Sequence, residues 1–119
     1  LALPVAAPCH CSMMEPAAQA MREALAREDI RPPVIPVVAN VTAAKVTDPA
    51  AIRDLLVRQV TGTVRWRESV EAMVQMGVDS FVEIGAGKVL SGLVRRINGA
   101  VATRSVGTPA DVEAFLAAR

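Results

Sequence analysis

Residues 79–93 read DSFVEIGAGKVLSGL, a short strand, a glycine turn and the opening of a helix in fifteen positions. Gly85 and Gly87 permit a tight strand-to-helix turn, by positive φ or by close backbone approach. Beyond the turn Val89, Leu90, Leu93, Val94 and Ile97 fall on one helical face, and Gly99 ends the helix. A strand followed by a single helix is the unit from which α/β folds are built.

The same unit recurs on both sides. Downstream, VATRSV at 101–106 is a strand, Thr108 and Pro109 start a helix, and Val112, Phe115 and Leu116 form its inner face. Upstream, a helix from about Trp66 to Met76 buries Trp66, Val70, Met73 and Val74 and stops at Gly77. Asp48 and Pro49 start another, with Ile52, Leu55, Leu56 and Val60 on one face and Gly62 just past its end. VIPVVANV at 34–41 is rich in β-branched residues without clean alternation, the pattern of a strand buried on both faces. DIRPPVIP at 29–36 is a loop, because its prolines remove donors and force extended geometry. Residues 12–28 carry Met14, Ala17, Ala18, Met21 and Leu25 at helical spacing, with Ser12 and Glu15 matching a capping box. LALPVAA at 1–7 supplies a first strand. The expectation is an α/β fold, four strands in a mainly parallel sheet flanked by five helices.

Composition narrows the function classes. The chain has 119 residues, 13 basic and 12 acidic, for a net charge of +1, and three aromatic side chains in all. That surface offers neither a phosphate-tracking patch nor a platform for stacking bases, so nucleic acid is not an expected partner. No apolar run approaches the roughly 20 residues needed to cross a bilayer, so no membrane is expected either. Cys9 and Cys11 sit only two apart in an extended stretch, where a disulfide between them would be strained. Reduced thiols in a cytoplasmic protein follow. Cys9, His10 and Cys11 cannot converge on one ion, and no second His or Cys cluster completes a tetrahedron, so no metal is expected. The start at Leu1 and a thin sheet with an open edge point to a piece of something longer.

Three places could carry chemistry. His10, the one histidine, lies between a strand end and a helix start, where α/β sheets gather ligands and catalytic groups. From position alone, a surface or capping role and a chemical one are equally open. GAGK at 85–88 has the context of a phosphate-binding turn but not its spelling, since Val89 follows the lysine and Leu90 stands where a dinucleotide fingerprint needs glycine. Ser105, in TRSVG, lacks the first glycine of a nucleophile elbow and reads as a loop residue. A base is present without its nucleophile.

Five stretches nonetheless stand in an order and spacing similar to one family. They are PCHCSMMEPAA at 8–18, IPVVANVT at 35–42, IRDLLVRQ at 52–59, VRWRESV at 64–70 and FVEIGAGKVLSGL at 81–93. Together they resemble the C-terminal portion of malonyl-CoA:acyl carrier protein transacylases, acyltransferases of fatty acid synthesis. The resemblance implies that residues 1–119 are the later part of the large, α/β-hydrolase-like subdomain, an incomplete domain. The ferredoxin-like small subdomain, the nucleophilic serine and the arginine that pairs with the malonyl carboxylate would lie upstream.

By the same resemblance, His10 is the general base of a Ser-His ping-pong mechanism. Gln59 supplies the main-chain carbonyl that orients it, and Cys9 stands at an acyl-pocket position where relatives often carry Phe or Ser. Gly85-Ala86-Gly87 stands where Gly-Pro-Gly is common. The implied substrate is malonyl-CoA and the implied partner is acyl carrier protein, with no cofactor. The competing expectation is a non-catalytic ligand-binding or structural α/β module whose glycine turn holds an anion.

Overall fold

Prolines stand in the first turn of three of the five α-helices among the described residues. In the computed structural model, which describes residues 8–118, α2 (Pro49–Thr61) begins where expected, with Asp48 Oδ2 accepting the Ala51 N–H at 2.7 Å. The strand expected at 1–7 lies outside the described residues. The chain divides into two units, Leu1–Ser69 and Val70–Arg119.

In the first unit a short 3-10 turn at Ser12–Met14 leads into α1 (Glu15–Leu25). The capping box expected of Ser12 and Glu15 does not form, and neither Cys11 nor Met14 caps with its side chain. Pro16 explains the shift: with no N–H to satisfy it belongs in the first turn, so the α-helix starts at Glu15 rather than just after Ser12. The far end of α1 is closed from α2. Arg53 donates from Nε to the Leu25 carbonyl and from Nη2 to the Glu28 carbonyl, both at 2.9 Å, satisfying acceptors that a helix end leaves open. Ala18 and Val57 are the buried residues of the two helices, while Leu56, expected inside, is at the rim.

The segment expected as a doubly buried parallel strand at 34–41 is different. Only β1 (Val37–Ala39) is a strand, and it pairs antiparallel with β2 (Ala44–Val46), Val37 opposite Val46 and Ala39 opposite Ala44. Val34 and Ile35 are fully or largely exposed. Pro36 has no N–H to give a ladder and the chain bends at Val34 and Ile35, so pairing does not extend toward Val34. The hairpin turn is closed by the Ala43 amide on the Ala39 carbonyl at 2.8 Å.

Helix α3 (Trp66–Gln75) includes Val70, which is fully buried, and is followed by a turn through Gly77 at φ 94. In the second unit β3 (Ser80–Ile84) and β4 (Ala102–Val106) pair in parallel, Ser80 opposite Ala102 and Ile84 opposite Val106. Helix α4 (Val89–Ile97) packs on both strands and α5 (Pro109–Ala117) on β4. A capping box forms here: Thr108 Oγ1 accepts the Asp111 N–H and Asp111 Oδ2 accepts the Thr108 N–H. Val112 and Leu116, expected on the inner face of α5, are exposed, and only Phe115 is half-buried, with Arg104 over its ring.

The four described strands therefore make two pairs, one antiparallel and one parallel, rather than one mainly parallel sheet.

Candidate functional site around His10

Helix α2 ends at Thr61, so the carbonyl of Gln59 is one of the last four and has no amide one turn ahead to receive. His10 fills that position. Its Nδ1 lies 2.8 Å from the Gln59 carbonyl oxygen. A carbonyl only accepts, so Nδ1 carries the proton and donates, and Nε2 keeps its lone pair. The His10 residue is exposed, which leaves that lone pair accessible.

The backbone that delivers the ring is unusual. His10 has φ 61, and it shares positive φ outside glycine only with Ala43 among the described residues. For a side chain with a Cβ this left-handed conformation costs on the order of 1–3 kcal/mol and persists only where its surroundings hold it. Cys9 beside it is exposed. Cys11 is half-buried, and its Sγ donates to the Pro8 carbonyl at 3.1 Å. Neither cysteine is in a disulfide. Gln59 also lines an apolar cavity of about 80 Å³ with Val38, Val46, Ile52 and Leu55, so the end of α2 faces both the imidazole and a greasy wall.

The second unit answers the two remaining candidates. Gly85 at φ 134 and Gly87 at φ 92 make the strand-to-helix turn, with nothing within 4 Å of where a Cβ would sit; backbone handedness is what requires glycine there. Two amides in the first turn of α4 are already taken. Glu83, the penultimate residue of β3, accepts from Leu90 N at 3.1 Å and from Ser91 N at 2.8 Å, so the chain supplies its own carboxylate. This counts against the anion-binding turn. Ser105 lies inside β4 rather than in a loop, and its Oγ pairs with Ser91 Oγ at 3.0 Å. Among the described residues no group of three or more His, Cys, Asp or Glu converges, and no helix is long and apolar enough to cross a membrane.

No family model matches the chain. Among curated proteins it is 44% identical over 116 residues to the malonyl CoA-acyl carrier protein transacylase of Salmonella typhimurium, covering 98% of this chain and 38% of that protein. The chain is a relative of the malonyl CoA-acyl carrier protein transacylases. It spans about 38% of the length of such relatives. Among solved structures, the acyl-carrier-protein-S-malonyltransferase of Bartonella henselae matches with TM-score 0.88 and 48% identity, over 98% of this chain and 37% of that one. A malonyl-transacylase in complex with a type II PKS acyl-carrier protein matches with TM-score 0.87 and 38% identity, over 98% of this chain and 38% of the other. These transacylases are transferases, and the α/β architecture of the chain is compatible with theirs.

In this transacylase relative, the structure brings two of the three expected site residues into contact, His10 with Gln59, while Cys9 stands exposed beside the histidine. Sequence reasoning missed two further groups. Glu83 reaches forward seven and eight residues, beyond any local capping pattern. Its carboxyl is held below the usual 4.5, first by the Ser91 backbone N–H and then by the Ser91 side chain. A folded-state value below the unfolded one adds stability above about pH 4.5 that is lost as the pH falls through the depressed value. Thermal melts should therefore show Glu83→Gln below the parent at neutral pH, with the gap closing on acidification. A gap that stays constant would mean the carboxylate charge does not hold the turn. The second missed group is the Cys11 thiol.

Proposed function

We propose that this chain forms the histidine-bearing part of an enzyme that moves malonyl from malonyl-CoA to the phosphopantetheine thiol of acyl carrier protein in fatty acid synthesis. The observation that carries the reading is the His10 Nδ1 to Gln59 carbonyl bond of 2.8 Å, which fixes the tautomer with Nε2 as the basic nitrogen. The named relatives support the substrate and the carrier partner.

In this reading the nucleophile is a serine outside these 119 residues. His10 Nε2 takes the serine proton as the oxygen attacks the malonyl thioester carbonyl. The imidazolium then returns the proton to the departing CoA sulfur, leaving a malonyl-serine ester. In the second half His10 takes the proton of the carrier thiol, sulfur attacks the ester, and the serine oxygen leaves with that proton. The Gln59 carbonyl stabilises the imidazolium at Nδ1 throughout. The chemistry is acid-base and covalent and calls for no cofactor, and malonyl-CoA is consumed as substrate. Cys9, exposed next to His10 in the chain, is assigned to the wall of the acyl pocket. Residues 1–119 are assigned to the later part of an α/β-hydrolase-like large subdomain, with the ferredoxin-like subdomain upstream, in a cytoplasmic enzyme.

The test is covalent trapping. After brief exposure of the intact polypeptide to malonyl-CoA, peptide mass spectrometry should place the malonyl ester on a serine outside residues 1–119. The isolated 119-residue chain should carry none and transfer none. A malonyl ester on Ser105, or on any other residue of the chain, would overturn the assignment.

A further inference from the structure

We infer that Cys11 is a positioning residue, whose thiol holds the turn that presents His10 to the Gln59 carbonyl. Cys11 is tied at two points on either side of its own Cα. Its carbonyl accepts the Met14 N–H at 3.0 Å, which fixes it to the 3-10 turn ahead of α1. Its Sγ donates back to the Pro8 carbonyl at 3.1 Å, spanning Cys9 and His10. Residue 11 itself is extended, φ -141 and ψ 173, so the reversal of the chain is taken up by Cys9 and His10, and His10 is left at φ 61.

A side chain that bonds a carbonyl three residues back does the work of the backbone bond in a tight turn. Remove the donor and the turn through Cys9 and His10 loses its side-chain tie, leaving the imidazole's own bond to Gln59 to hold His10 at positive φ; relaxation to negative φ swings the ring off the end of α2. A packing role alone would need only the volume of Cys11; a positioning role needs its donor. Serine keeps the donor and alanine does not.

The structural claim concerns the tautomer of His10; its catalytic consequence rests on the reading of His10 as the base. The experiment separates the two. In the intact protein, the ring-nitrogen NMR signals of His10, identified by their loss in His10→Ala, report which nitrogen carries the proton. The parent and Cys11→Ser should hold the Nδ1–H tautomer, and Cys11→Ala should shift toward the Nε2–H form that free imidazole favours. In parallel, kcat should fall about ten- to a hundredfold in Cys11→Ala, as for a misplaced catalytic group, with KM little changed and recovery in Cys11→Ser. An Nδ1–H tautomer retained in Cys11→Ala overturns the inference. A shifted tautomer with full turnover leaves the positioning intact and sinks the base assignment instead. If Cys11→Ala does not fold, the S–H infrared stretch decides. Assigned by difference against Cys11→Ser, it should lie below that of an exposed thiol, and an unshifted band overturns the inference.

Discussion

His10→Ala in the intact polypeptide is expected to lower malonyl transfer to the carrier thiol by about 10²- to 10⁴-fold, the usual contribution of a positioned general base. The size follows from the geometry. Nδ1 is committed to the Gln59 carbonyl at 2.8 Å, so the neutral ring has one free basic nitrogen, and alanine removes it without replacement. Both half-reactions use the same nitrogen, so acyl-enzyme formation and its discharge should slow together. Rapid-quench measurement of the malonyl-serine ester and steady-state turnover check the two separately. Near-normal turnover would remove the role assigned to His10.

The second large effect is expected at Gln59, and it depends on which atom is altered. Gln59→Ala leaves the main-chain carbonyl in place and should change turnover little. Gln59→Pro sits in the last turn of α2, where it removes a ladder N–H and drives its ring against the carbonyl four residues back. That costs about 3 kcal/mol or more and displaces the turn that ends on the imidazole. Denaturant melts should show the loss in stability, and turnover should fall with it. Equal activities in the two variants would mean that the carbonyl does not orient His10; a large loss in Gln59→Ala would mean that the side chain does.

The contrast between those variants also marks what was legible in the amino-acid sequence. Helices α2 and α5 announce themselves through Asp48-Pro49 and Thr108-Pro109, because a cap and a ring-fixed first residue are local chemistry, and both caps form. The turn through Gly85 and Gly87 is legible for the same reason. Ser12 misled because Pro16, the residue just after the Ser12–Glu15 signal, decides where the α-helix begins. Strand β2, Ala-Lys-Val, has no pattern to read in three residues, and its partner β1 is cut short by Pro36. At the site, His10 is visible as the one imidazole in the chain. Its acceptor is a backbone atom of Gln59 that any residue could supply, so only the family resemblance pointed there. The thiol of Cys11 was read for disulfide and metal chemistry, while its part as a hydrogen-bond donor depends on a fold of four residues that spacing alone does not reveal.

The carboxylate of Glu83 at the head of α4 has a consequence for the timing of assembly. A counter-ion borrowed from solution comes and goes with its concentration, and a turn that depends on one takes its shape only when loaded. Here the anion is covalently part of the strand that enters the turn, at a local concentration that dilution cannot lower. The route from β3 into α4 is therefore closed by the chain alone, before any solute arrives.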